Sequence, residues 1–188
     1  TYGIDPAKIF LLGQGSGGYV TLAYGFMNDQ SETALPKFQL QDGSSVINPA
    51  LVGDVDGVGG QVNNYNHPGY SNQVAMTANL GGALGDKSWM EGIWSEPPLA
   101  SIHARRDVFA PFDSGTVIVP ATGQPVVNVH GSRAAVYRAN ALGNNDIWQN
   151  HTFNDPFSTR AYAMNAKAQY EGLFQLEIAE VPGPGEDS

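Results

Sequence analysis

The 188-residue sequence contains no cysteine, which excludes disulfides, zinc–thiolate centres and a cysteine nucleophile. Basic side chains are scarce: nine lysines and arginines stand against eighteen aspartates and glutamates, a net charge of −9. Nucleic acid and anionic membrane surfaces attract basic patches, so neither is expected as a partner. Charged residues amount to only 14%, so the solvated surface leans on Asn, Gln, Ser, Thr and Gly. That polar, uncharged surface fits a secreted or cell-surface bacterial protein. No apolar run approaches the roughly 18 residues that span a bilayer, and no signal-peptide pattern opens the chain. Thr1 stands where an initiator Met is absent, directly before a strand, as expected of a piece of something longer.

What the sequence does contain is concentrated in Ile9–Tyr24. Ile9 to Leu12 is a continuous apolar run of strand length, the pattern of a parallel strand buried on both faces. Gly13-Gln-Gly15-Ser16-Gly17-Gly18 follows as a glycine-packed turn, and Tyr19, Leu22, Ala23 and Phe26 are spaced to form one face of a helix over Gly18 to about Asn28. Residues 29–72 are rich in Gly, Asn and Asp, carry no long periodic run and read as an insertion, with Ser45–Ile47 as a short strand candidate. Gln73–Leu80 and Pro98–His103 read as further core strands. Thr116–Val119 and Val126–Val129 read as two strands joined by a turn. A short helix or turn is expected over Trp89–Trp94, and Ala134–Leu142 and Thr159–Tyr170 have helical composition. Residues 182–188 form a polar tail or linker, leaving one domain over 1–181. The order is that of an α/β protein with a mostly parallel sheet.

The turn supports two chemistries. Gly13-x-Gly15-x-x-Gly18 matches the dinucleotide-binding fingerprint, in which the glycines allow a tight turn, close pyrophosphate approach and helix packing. That unit also needs a second strand ending in an acid about 20 residues on. Glu32 lies near that distance, but Ser31–Pro36 is not the end of an apolar strand. Alternatively the turn is a nucleophile elbow. Tyr2-Gly-Ile-Asp-Pro-Ala-Lys-Ile-Phe-Leu-Leu-Gly-Gln-Gly-Ser-Gly-Gly-Tyr19 resembles the elbow region of the α/β-hydrolases of carboxylesterase and lipase type. Pro98–Phe112 resembles the later strand and loop that carry the triad acid, with His103, Asp107, Pro111 and Phe112 at the family's spacings. The two segments cover barely a fifth of the chain.

The resemblance implies an α/β-hydrolase-like, mostly parallel sheet, here the C-terminal part from strand 5 onward. It also implies action on carboxylic esters without cofactor or metal, and a preceding segment or partner chain that completes the sheet. Its triad would comprise Ser16, Asp107 and His151, with His130 as substitute, around the elbow glycines Gly13, Gly15, Gly17 and Gly18. The departure is at the centre. Aligning the strand places Gly15 at the nucleophile position and Ser16 one residue later. The other register makes Ser16 the nucleophile and sets Gln14 where the sharp turn tolerates only a small residue. With Gly15 there, the Ser-His-Asp mechanism lacks its attacking oxygen. The chain would then be a non-catalytic, hydrolase-like binding or structural protein.

Overall fold

A computed structural model describes residues 3–55, 58–62, 70–119, 121–149, 152–165 and 170–177. The expected first strand is β1 (Phe10–Gln14), and it runs directly into α1 (Ser16–Phe26). The helix therefore starts two residues before Gly18. Gly13 and Gly25 let it lie unusually close to the sheet. A Cβ on Gly13 would stand 2.0 Å from the Gly17 carbonyl oxygen, and one on Gly25 would stand 2.7 Å from the Thr77 methyl.

After α1 the chain leaves the sheet. It forms single turns at Gln30–Ala34 and Pro36–Phe38, then α2 (Pro49–Val52), and the Ser45–Ile47 candidate yields only an isolated bridge between Gln39 and Ser45. It returns as β2 (Met76–Leu80), β3 (Ala83–Leu84) and β4 (Leu99–Ala104). The expected Trp89–Trp94 helix or turn is realised as the end of one turn, Lys87–Trp89, and the start of another, closed by the Glu96 N–H on the Ile93 carbonyl oxygen at 3.0 Å. An antiparallel hairpin, β5 (Ser114–Ile118) and β6 (Pro125–Gly131), leads into α3 (Ser132–Leu142), which ends on left-handed Gly143. The last described elements are α4 (Pro156–Asn165), which begins three residues before the expected Thr159, and β7 (Leu173–Leu176), a strand the sequence pattern did not indicate.

These strands form two sheets. β1, β2, β4 and β7 lie side by side in chain order, all parallel, and β3, β6 and β5 form a smaller antiparallel sheet. The protein is an α/β fold. One face of the parallel sheet packs on α1 and α3, where Leu22, Phe26, Leu84, Met90, Leu99, Val136 and Leu173 form the core. The excursion is pinned to this core. Trp89 stacks on Phe38 and donates its indole N–H to the Glu32 carbonyl oxygen, while Lys37 pairs with Asp86 at 2.7 Å.

The opposite face is open near β1. Register places Leu12 beside Ala78, Ala78 beside Ala100, and Ile102 beside Phe174 on this side. Phe10 and Leu12 are 60% and 64% exposed. Parallel sheets are ordinarily covered on both faces, so these two side chains are uncommonly wet.

Candidate functional site at the carboxyl ends of the parallel strands

In α/β sheets side chains and helix N–H groups converge beyond the carboxyl ends of the strands. Here β1, β2 and β4 end together. Beyond β1, Gly15 takes φ 56°, ψ −119°, a region that L side chains rarely adopt, and its N–H donates to the Leu80 carbonyl oxygen at 2.8 Å. Ser16 is the first residue of α1 and is exposed. The remaining glycines serve close packing: a Cβ on Gly18 would stand 2.3 Å from Asn79 Oδ1 and 2.9 Å from the Cα of Gly82.

Beyond β4 stands Asp107. Its Oδ1 accepts the backbone N–H groups of Phe109 (2.7 Å) and Ala110 (3.0 Å), closing the loop upon itself. Its Oδ2 lies 3.4 Å from Nε2 of His103, whose side chain is fully buried. His103 Nε2 also faces the Ala110 carbonyl oxygen at 3.3 Å, and Nδ1 meets Ser132 Oγ at 2.7 Å. A carbonyl oxygen can only accept, so Nε2 carries the proton and Nδ1 accepts from the Ser132 hydroxyl. Ser132 Oγ in turn accepts from Asn79 Nδ2 at 2.9 Å. The same Asn79 amide donates to the Gly82 carbonyl oxygen and accepts the Gly82 N–H. Asp107, His103, Ser132 and Asn79 thus form one continuous chain of polar contacts.

Comparison with protein-family models, with curated proteins and with solved structures finds no significant match. The function must be read from the site itself.

Electrostatics hold His103 neutral. Burial is the largest influence and lowers its pKa below the ordinary imidazole value, against the opposing pull of Asp107 and the Ala110 carbonyl. Tyr19, at the start of α1, has a buried hydroxyl with no hydrogen-bond partner among the described residues. Burial, and secondarily the Asp107 charge, raises its pKa, so it remains a phenol.

The sequence-predicted residues do not assemble into one hydrogen-bonded chain. Among the described residues, no hydrogen bond joins Ser16 to Asp107 or to His130. His130 lies on β6, where its Nδ1 accepts the Lys87 N–H at 3.2 Å. It belongs to the neighbourhood of Lys37 and Asp86, and burial lowers its pKa. His151 lies outside the described residues. Both His130 and His151 precede β7 in the chain.

Sequence reading used His103 only as a spacing mark and passed over Ser132 and Asn79. A usable signal was present: Thr77, Asn79, Ser101 and His103 recur at alternate positions of otherwise apolar strands, and all four are buried. Buried polar side chains at strand period imply partners waiting on that face. Among the described residues no three His, Asp or Glu side chains are placed to hold a metal ion, and no helix is long and apolar enough to cross a membrane.

Proposed function

We propose that the chain is the part of an α/β-hydrolase-like domain, of carboxylesterase or lipase type, that runs from the fifth strand onward. On this reading it has a glycine at the nucleophile position and acts at the cell surface as a non-catalytic binding or structural module. The observation that carries the reading is the backbone of Gly15. The sharp strand-to-helix turn of the elbow places its nucleophile in a strained, positive-φ conformation, and in this turn that conformation belongs to Gly15. Ser16 has already entered the helix. Asp107 beyond β4, and four parallel strands in chain order, further support the likeness.

The same turn gives little support to dinucleotide binding. Close packing accounts for Gly13 and Gly18 without a phosphate. Glu32 does not end a strand, and its Oε2 already accepts the N–H groups of Asn28 and Asp29. β2, the strand paired with β1, runs instead into Gly81-Gly82. Further polypeptide, a preceding segment or a partner chain, would complete the sheet at the outer edge of β1 and cover Phe10 and Leu12.

Fluorophosphonate labelling combined with p-nitrophenyl ester turnover tests the reading. We expect neither labelling nor turnover in the wild type. Labelling that disappears in Ser16→Ala would replace it with a serine esterase working through an unusually placed nucleophile.

A further inference from the structure

Lysines and arginines number only nine in this acidic chain, yet three of them, Lys87, Arg133 and Arg138, line one groove of about 580 Å³. The groove follows α3 and is flanked by the turn Lys87–Trp89, the start of β5 and Tyr170. Helical period explains how α3 supplies it. Ala135, Val136 and Ala139 are buried in the core, so Arg133, Ala134, Tyr137, Arg138 and Ala141 fall on the other face. Alanine at positions 134 and 141 leaves open space between the long side chains.

The carboxylates of the groove already have partners. Asp86 pairs with Lys37 at 2.7 Å, and Asp113 accepts from Arg133. Arg133 also lies 5.2 Å over the Tyr170 ring, which stands 5.7 Å from the ring of the exposed Tyr137. Lys87 and Arg138 are the cations in excess: among the described residues neither forms an ion pair. Arg138 is nonetheless held in place. Its Nε and Nη2 both donate to the Met90 carbonyl oxygen, at 3.2 and 3.0 Å, a neutral acceptor that fixes the guanidinium without cancelling its charge. In a chain of net charge −9, two uncompensated cations at one groove reverse the local sign and favour an anion there.

We propose that this groove binds an acidic sugar, a pyranose that carries one carboxylate. Arg138 and Lys87 take the carboxylate through charge-assisted hydrogen bonds. The exposed Tyr137 ring takes the C–H face of the sugar, and Asp113, Ser88 and Ser114 accept from its hydroxyls. A dianionic phosphate suits the groove less, because Asp86 and Asp113 line it too and would repel the second charge. The volume lies within the range of about 300–1,000 Å³ usual for small-molecule sites. The proposal goes beyond the hydrolase-like reading and does not rest on it, since the groove shares no residue with the elbow turn.

Methyl β-glucuronide and methyl β-glucoside, which differ only by a carboxylate in place of a hydroxymethyl group, are the probes. Each is titrated into ¹⁵N-labelled protein and followed at the backbone amides of α3. The glucuronide should shift them in a saturable way and bind about tenfold more tightly than the glucoside, the effect of one charge-assisted hydrogen bond. That preference should shrink as salt is raised. Arg138→Gln should abolish it and Lys87→Gln should reduce it; Lys87 is exposed, so its variant keeps the test open if loss of the Arg138–Met90 contact unfolds the other. Tyr137→Ala should weaken both sugars by a similar factor and leave their ratio unchanged. No saturable response of α3 to the glucuronide overturns the proposal. So does equal affinity for the two sugars, or a preference undiminished in Lys87→Gln.

Discussion

Two strand-to-helix turns in this protein share a local sequence and differ in backbone conformation and surroundings. α1 and α3 are each eleven residues long, each follows a strand directly, and each begins Gly-Ser with no side-chain cap. At the first turn Gly15 adopts positive φ, and Ser16 is exposed. At the second, Gly131 is extended, and Ser132 is fully buried between His103 and Asn79. The serine that sits in a recognisable motif has no histidine hydrogen-bonded to it among the described residues. The serine that has a histidine and, beyond it, an aspartate sits in no motif and is closed to solvent. Hydrogen-bonded Ser-His-Asp order therefore does not make a catalytic site without access for a substrate and an oxyanion. At Ser132 those contacts satisfy buried polar atoms that the close approach of α3 to the sheet would otherwise strand.

The contrast breaks most readily at the buried turn. His103→Ala removes a fully enclosed ring that also packs edge-on against Phe112, and it leaves Ser132 and the Ala110 carbonyl without their partner. We expect a loss of about 3 kcal/mol in urea-unfolding stability, from cavity formation plus unsatisfied polar groups. Ser132→Ala strands Asn79 Nδ2 in part and should cost about 2 kcal/mol. Losses below about 0.5 kcal/mol for both variants, the size of an ordinary surface substitution, would mean that the network contributes little.

Gly15→Ser comes next in size. A Cβ there meets nothing within 4 Å, so the cost is conformational only, about 1–2 kcal/mol for an L residue at positive φ. Equilibrium unfolding measures it, and the same variant tested with fluorophosphonate asks whether an oxygen at this position suffices. We expect no labelling, since among the described residues no histidine is hydrogen-bonded to this turn. Rapid labelling of Gly15→Ser would show that a competent base lies within reach.

How much of this was readable beforehand depends on how local the cause is. β1, β2, β4 and the hairpin follow from short apolar runs between glycines and prolines, which are local signals. β7 has four residues, one of them Gln175, and exists because Leu173 to Leu176 find the edge of β4 in register with Ser101 to Ala104. Nothing within Leu173–Leu176 announces that pairing. Asp107 and His103 were visible as a pair four residues apart at a strand end. Ser132 lies 29 residues beyond His103 and Asn79 lies 53 residues before Ser132, so their contacts arise from packing α3 onto the sheet. The early start of α1 has a similar origin. Gly17 and Gly18 are poor helix formers in isolation, yet Gly18 is needed where the helix meets Gly82.

Acidity probes the same comparison more gently. His103 has a lowered pKa in the folded state, so between the folded and unfolded values the unfolded chain binds more protons. Its contribution to stability is therefore complete above the unfolded value of about 6.5 and is lost as pH falls through the lower folded value. Unfolding stability measured from pH 8 to pH 5 should decline, and His103→Gln should flatten the decline. His130 titrates with the same sign and adds to the decline. Asp86 acts lower on the scale. Burial pushes its carboxyl up, but hydrogen bonds from Lys37 and Ser88 outweigh this and bring it down to about 2, so Asp86 stays ionised and paired with Lys37 down to about that pH. Its contribution to stability is complete above about 3.8 and is lost as pH falls from there through about 2.

The smallest expected effect is also the most direct test of the two turns against each other. Ser16→Ala removes an exposed hydroxyl with no hydrogen-bond partner among the described residues, at the first position of a helix where alanine is a good helix former. Stability should change by no more than about 0.5 kcal/mol, against about 2 kcal/mol for Ser132→Ala. The pair of measurements separates exposure from partnership, because the two serines occupy the same helix position after a glycine. A loss at Ser16 equal to that at Ser132 would mean that Ser16 holds a contact in solution. The elbow turn would then have to be reconsidered as a site with a partner of its own.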